Sequence, residues 1–226
     1  MTDPAALLLA LRHADGTFPS GGFAFSQGLE ARAALADDFG PFDLAAFLAD
    51  QVLRRWAGAD RVALVRAHRA AADLDRVATV DAEVEASTAS EPLRAGSRRN
   101  GLAFLTAHRR LGTPGAEAYH RRIREGMAPG HVAVVQGLLW ARLGLDETTA
   151  SAMGGHVAVI GPATAAIRLG LVGAIEAQTA IATVTADLAA VCRRPIADGQ
   201  PFSAFLPVVE IACARHATGD LRLFSN

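Results

Sequence analysis

Hydrophobic residues recur at spacings of three and four along most of the chain, which is the period of an α-helix with one buried face. The clearest stripe lies between Asp43 and Ala57, and its members are Leu44, Phe47, Leu48, Val52, Leu53 and Trp56. Alternating β-branched runs joined by two-residue turns, the pattern of a hairpin, are nearly absent. The pattern therefore predicts an all-α fold.

Glycine, proline and capping residues divide this pattern into about ten helices. Gly58 is predicted to end one helix, and Pro162 to begin another just after a helix that ends at Ile160. The predicted helices cover residues 43–57, 60–72, 75–86, 90–110, 115–124, 130–143, 148–160, 162–173, 175–191 and 201–215. The connections are short and none resembles an interdomain linker, so we expect a single-domain bundle over residues 1–226.

The composition limits the kinds of site that the chain can carry. Of 226 residues, 51% are hydrophobic, and the net charge of -1 gives no long-range attraction for nucleic acid or anionic lipid. All 22 basic residues are arginine, so a Walker A, kinase or Schiff-base lysine is excluded. No apolar run reaches the ~18 residues of a membrane span. With two cysteines and no secretory pattern at the N-terminus, we expect a cytoplasmic protein.

Two segments are unusual for loops or termini. The stretch from Phe18 to Glu30 reads FPSGGFAFSQGLE, in which a proline and three glycines accompany three phenylalanines that need burial. The C-terminal residues read LRLFSN, and a terminus with large apolar residues around an arginine is expected to dock, on its own chain or on a partner.

These two segments and several strings between them resemble the UreF family of urease accessory proteins. The strings, in order along the chain, are Ser97–Gly101 (SRRNG), Gly130–His131, Val134–Gly137 (VVQG) and Arg168–Gly170 (RLG). The resemblance spans nearly the whole chain. It implies an all-helical, non-catalytic chaperone that acts as a homodimer with UreD/UreH, recruits the GTPase UreG and serves nickel insertion into apo-urease. Nucleotide hydrolysis and nickel carriage would then belong to UreG, and no cofactor is expected on this chain.

The resemblance also implies which residues contact partners or set the conformation needed for contact. The N-terminal apolar segment, residues 1–30, contributes Phe23, Ser26, Gly28 and Glu30, and the docking tail, residues 217–226, contributes Arg222, Leu223 and Phe224. The tail departs from the usual family pattern, because Ser225 follows Phe224 without an intervening variable residue.

The residues themselves offer few alternatives. Ser26 lacks the strand and the first glycine of a nucleophile elbow. Cys213 and His216 are spaced to share a helix face and are the weak candidates for nickel or zinc ligands, although only a symmetric dimer would supply four. His131 and His156 follow glycines near expected helix starts, and packing roles are favoured for both. An all-helical enzyme with an unrecognised active site is the alternative function, and a nucleic-acid module is disfavoured because the sequence has no helix-turn-helix signature.

Overall fold

The computed structural model describes residues 3–22, 25–216 and 224, except for the side chains of Phe39 and His216, and every regular element in these ranges is a helix. The prediction of an all-α fold is confirmed. The elements are α1 (Pro4–Ala14), α2 (Leu29–Ala34), α3 (Ala36–Phe39), α4 (Leu44–Asp50), a π-helical segment (Gln51–Asp60), α5 (Arg61–Arg69), α6 (Leu74–Ser87), α7 (Glu91–Arg110), α8 (Ala116–Arg124), α9 (Val132–Arg142), α10 (Glu147–Arg168), α11 (Ala174–Arg193) and α12 (Pro207–His216).

Helix α9 lies at the centre of the fold and packs against α5. Three successive side chains of α9, Leu138, Leu139 and Trp140, are fully buried, so the helix has almost no solvent-facing side. Gly137 allows the close approach, since a Cβ there would lie 2.2 Å from the carbonyl oxygen of Leu64. This contact explains the glycine within an otherwise bulky apolar helix.

The buried residues form two hydrophobic clusters. One is built mainly from α5, α7 and α9, and the other mainly from α2, α4, α11 and α12. Helix α10 contributes Met153 to the first cluster and Val159 and Ala166 to the second. Because one helix contributes to both clusters, this packing favours a single domain over residues 1–226, which stays a prediction.

The predicted helix end at Gly58 is wrong. The chain continues as a π-helical segment that joins α4 to α5, so residues 44–69 are helical without a break. A Cβ at Gly58 would lie 2.4 Å from the carbonyl oxygen of Ser203, and the N–H of Ser203 donates to the Gly58 oxygen at 2.9 Å. Gly58 therefore leaves room for the backbone of Ser203 and does not terminate the helix.

Two further boundaries differ from the prediction. Pro162 lies inside α10 and does not begin a new helix; it is buried, and the helix continues through it to Arg168. Residues 201–206 are not helical, and α12 begins at Pro207. The backbone N–H groups of Ser203 and Phe205 bond the π-helical segment, at Gly58 and Arg54, and this pairing replaces the predicted first helical turn.

Helix α1 is missing from the sequence-based prediction. Asp3 caps it by accepting a hydrogen bond of 3.2 Å from the N–H of Ala5, and Pro4 occupies its first turn. Leu7, Leu8 and Leu11 on this helix are 48%, 67% and 59% exposed. The missed signal is therefore a cap followed by a helix whose apolar side faces outwards.

Two of the described helices, α10 and α11, are long and apolar enough to cross a membrane by length and composition alone. The most apolar window of α10 is 61% buried and that of α11 is 22% buried. Helix α10 is thus a core helix of the protein, and two such helices are weak evidence for a membrane protein.

Candidate partner-binding site

Two of the three phenylalanines in the N-terminal segment are buried by the chain itself. The ring of Phe18 lies 4.8 Å from that of His13 and 5.4 Å from that of Phe104, centroid to centroid. Phe25 is 6% exposed and packs on α7, where a Cβ at Gly96 would lie 2.3 Å from the Phe25 ring. Phe23 lies outside the described residues.

The segment then makes a tight left-handed turn into α2. Gln27 and Gly28 have φ angles of 55° and 85°, and the Ser26 hydroxyl accepts a hydrogen bond of 3.3 Å from the N–H of Glu30. Gly28 is also closely packed, since a Cβ there would lie 2.5 Å from Val209 and 3.0 Å from the sulfur of Cys213, both on α12. Ser26 is fully buried, so it satisfies the backbone and is not placed as a nucleophile.

Glu30 joins the N-terminal segment to Phe224, the described residue of the C-terminal tail. This carboxylate is 7% exposed, and its Oε2 accepts a hydrogen bond of 3.2 Å from the N–H of Phe224. Phe224 is 4% exposed, and the guanidinium of Arg168 lies 4.6 Å from the centroid of its ring. Phe224 therefore docks on its own chain, whereas Arg222 and Leu223 lie outside the described residues. We call the contact of Glu30 with Phe224 and of Gly28 with α12 the terminal junction.

Cys213 belongs to the hydrophobic side of this junction. It is 3% exposed, and burial raises the pKa of its thiol to about 11, so the thiol is protonated at neutral pH. A protonated thiol among apolar side chains is a poor metal ligand. The side chain of His216 is not described, and within the described ranges no group of three or more histidine, cysteine or acidic side chains is arranged to hold a metal ion.

An exposed apolar cleft adjoins the terminal junction. It has a volume of about 410 Å³ and lies between α4 and the start of α12, with Phe42, Phe47 and Leu206 among its lining residues. Phe205, which lines it, is 67% exposed, and Ile211, three residues beyond the lining residue Val208 on α12, extends the exposed apolar surface at 49% exposure. We call this surface the α4–α12 cleft. Exposed apolar area of this kind is typical of a protein-binding surface.

Sequence reasoning missed a buried polar network that connects α6, α7, α8 and α9. The Asp81 carboxylate accepts hydrogen bonds from the Tyr119 hydroxyl at 2.7 Å and from the N–H groups of Gly130 and His131 at 2.7 and 2.9 Å. Asp81 is fully buried, and that burial raises its pKa. The acid thus closes the turn before α9 by bonding three donors.

His131 extends this network to α7. Its Nδ1 lies 3.1 Å from the Ser97 hydroxyl and its Nε2 lies 2.8 Å from Glu85. The order serine, histidine, carboxylate is that of a nucleophilic triad, but Ser97 is buried and its hydroxyl also accepts from the N–H of Val132 at 3.4 Å. The packing role expected for His131 agrees with this geometry. The signal in the sequence was the pair of strings SRRNG and GH, which the fold brings together.

The described part of the chain is an all-helical protein in which Gly28 sets a tight turn and Phe224 is buried. A sequence model of the UreF family matches residues 40–185, and the chain belongs to that family of urease accessory proteins. It therefore acts in urease maturation, with other urease maturation proteins, and it is not an enzyme. The alternative of an unrecognised helical enzyme is wrong. Proteins of this class are soluble.

Curated relatives match the chain over almost its whole length. Urease accessory protein UreF of Yersinia pseudotuberculosis is 27% identical over 225 residues, covering 97% of this chain and 98% of the relative. Urease accessory protein UreF 1 of Brucella melitensis is 30% identical over 237 residues, covering 97% of this chain and 92% of the relative. The similarity thus extends well beyond residues 40–185.

Proposed function

We propose that this protein is a cytoplasmic chaperone for nickel insertion into apo-urease, and that it acts as a homodimer bridging UreD/UreH and the GTPase UreG. The observation that carries the proposal is the terminal junction beside the α4–α12 cleft. Family membership supplies the process, and Val209 supports the choice of surface, because it lines the cleft and also packs against Gly28 at the junction. Nickel is the cargo of this process, and UreG supplies the nucleotide chemistry.

The candidate residues divide into two roles under this proposal. Ser26, Gly28 and Glu30 hold the turn and the tail in place, because all three are buried and bonded or packed within the chain. Phe23, Arg222 and Leu223 are proposed as direct partner contacts. Phe224 anchors the tail through its buried ring.

The α4–α12 cleft is proposed as the surface for UreD/UreH. Phe205 and Ile211 are large apolar side chains that a monomer leaves in water, and covering them on association is favourable by about 25 cal/mol per Å² of apolar area. Phe205 and Ile211 are 67% and 49% exposed, so aspartate at either position can reach solvent, and thermal unfolding by circular dichroism verifies that the double variant is folded. The double variant should therefore fold and lose its partner.

The test combines co-purification with urease activation. In cells that lack the protein, the Phe205→Asp/Ile211→Asp variant should fail to recover UreD/UreH and to restore urease activity, whereas Met127→Asp should behave as wild type. Met127 is 52% exposed and lies outside the cleft, so it controls for added surface charge. Arg222→Ala tests the tail in the same assay. Full activation and partner recovery by the cleft variant would overturn the assigned surface, and normal urease activation without the protein would overturn the function.

A further inference from the structure

A second groove, which shares no lining residue with the α4–α12 cleft, lies between α1 and one face of α7. Its volume is about 810 Å³. The α7 wall uses residues spaced three or four apart from Arg99 to Leu111, which is one face of the helix. Pro19 and the buried Phe18 form part of the opposite wall.

The groove combines exposed leucines with arginines. Leu102 and Leu111 are 40% and 50% exposed, and the groove is also lined by Arg12 on its α1 side and by Arg99 and Arg110 on its α7 side. No acidic side chain lines the groove, and none of the three arginines forms an ion pair with any residue that the structure describes. An apolar floor with a basic edge is therefore open to solvent.

The other arginines of α7 behave differently. Arg94 and Arg98 both pair with Glu85 and Glu91, and Arg109 lies 3.6 Å from Glu117. Helix α7 thus neutralises its cations on every described face except the one that lines the groove. Because unpaired arginines are strong bidentate donors for carboxylates, this face is complementary to acidic groups.

We infer that this α1–α7 groove binds an acidic amphipathic helix of a partner protein. From Arg99 to Arg110 the wall is about 16 Å long, which matches about three turns of helix. Apolar residues of the bound helix would cover Leu102 and Leu111, and its carboxylates would meet the arginines on both edges. The exposed Leu8 precedes Arg12 by one turn on α1 and extends the apolar surface beyond the groove. This inference does not depend on the proposed function or on the α4–α12 cleft.

A protein ligand fits the groove better than nucleic acid or lipid. Single-stranded nucleic acid needs exposed aromatic rings for stacking, and Phe18, the aromatic residue that lines the groove, is 9% exposed. An anionic membrane needs a broad basic surface, whereas here three arginines surround a narrow apolar strip. Both alternatives are included in the test.

The test measures fluorescence anisotropy of labelled synthetic peptides with the full chain. The first peptide is a helix of about three turns with leucines on one face and glutamates on both flanks. The second has lysine in place of every glutamate, and the third has serine in place of every leucine. We expect the first to bind at least about tenfold more tightly than the other two, and its binding to weaken with added salt.

Variants assign the binding to the groove. Arg99→Glu/Arg110→Glu should weaken the acidic peptide at least about tenfold and improve the lysine peptide, because the edge charge is reversed. Leu102→Ser should weaken both leucine-bearing peptides. Arg121→Glu/Arg124→Glu, at two exposed arginines of α8 without a described ion pair, is the matched control and should change affinity less than about twofold. Thermal unfolding by circular dichroism verifies that each variant is folded.

Four results would overturn the inference. The first two are no binding of the acidic peptide to the wild type and equal affinity for the acidic and lysine peptides. The third is an equal loss of affinity in the α8 control and in Arg99→Glu/Arg110→Glu, and the fourth is displacement of the peptide by phosphatidylglycerol vesicles or single-stranded DNA at lower concentration than by unlabelled peptide. None of these measurements involves urease or nickel. Their failure is therefore distinguishable from failure of the proposed function.

Discussion

The N–H of Phe224 donates a hydrogen bond to the Glu30 carboxylate across 194 positions of sequence. Both residues are buried, and they join the N-terminal turn to the residue of the C-terminal tail that the structure describes. Phe224 and the N-terminal turn therefore form one structural unit. A substitution in either should also weaken the packing of the other.

We expect Glu30→Ala to destabilise the protein by about 1–3 kcal/mol, because it leaves the buried N–H of Phe224 without its acceptor. Glu30→Gln keeps one acceptor oxygen and should recover part of the loss. Urea denaturation followed by circular dichroism measures both. Glu125→Ala, at an exposed residue, is the control, and equal stability of Glu30→Ala and this control would contradict the role of the junction.

Gly28→Ala should lower the free energy of unfolding by more than the backbone strain of an alanine in the left-handed conformation. The φ angle of 85° costs about 1–2 kcal/mol for a residue with a Cβ, and the new Cβ would also press on Val209. Gly170→Ala is a matched control, since Gly170 has a φ angle of 69° and open space around it. Adding Val209→Ala to Gly28→Ala should remove the steric part, and a double-mutant cycle in urea measures that coupling. Equal losses of stability in Gly28→Ala and Gly170→Ala would contradict a steric contribution at Gly28.

The stability should fall in acid because of two stacked histidines. The rings of His13 and His108 lie 4.8 Å apart, and burial lowers the pKa of both, that of His108 to about 3. The unfolded chain therefore takes up protons first as the pH drops below 6.5, so the stabilising neutral state is complete above that pH and is lost between about 6.5 and about 3.

Each proton so linked changes the free energy of unfolding by about 1.4 kcal/mol per pH unit. Urea denaturation over this pH range should show a slope that His108→Gln reduces. His156→Gln provides the comparison for this slope. Burial also lowers the pKa of His156, but His156 is not part of the stacked pair, and the residue as a whole is exposed. An unchanged slope in His108→Gln would exclude the stacked pair as the cause.

Asp81→Ala should be among the most destabilising single changes, by about 3 kcal/mol or more, because three buried donors lose their acceptor together. Tyr119→Phe removes only one of those bonds and should cost about 1 kcal/mol. Thermal unfolding compares the two variants. A loss in Asp81→Ala no larger than that in Tyr119→Phe would show that the backbone N–H groups find other acceptors.

The helical periodicity was sufficient to predict the fold class, because each helix carries its own apolar stripe. The errors fall where contacts distant in sequence decide the outcome. Glycine has a local preference for helix ends, yet Gly58 lies within a continuous helix and accommodates the approach of Ser203. Pro162 likewise has a local preference for a helix start, which the buried surroundings of α10 override.

The candidate site was predictable only in part, for a similar reason. The motif around Ser26 and Gly28 was recognisable because its backbone requirements are local. Its packing on α12, and the bond from Glu30 to Phe224, depend on residues that the sequence places far away. The role of Asp81 was not predictable from the sequence, since a single aspartate within a helical pattern is normally a solvent-exposed charge.

The buried thiol of Cys213 makes the protein its own reporter of local opening. The sulfur is shielded between α12 and Gly28, so a thiol reagent reaches it only when that helix separates from the turn. The rate of Cys213 modification would consequently follow undocking of α12 without any introduced label, and half-buried Cys192 would provide an internal reference in the same molecule.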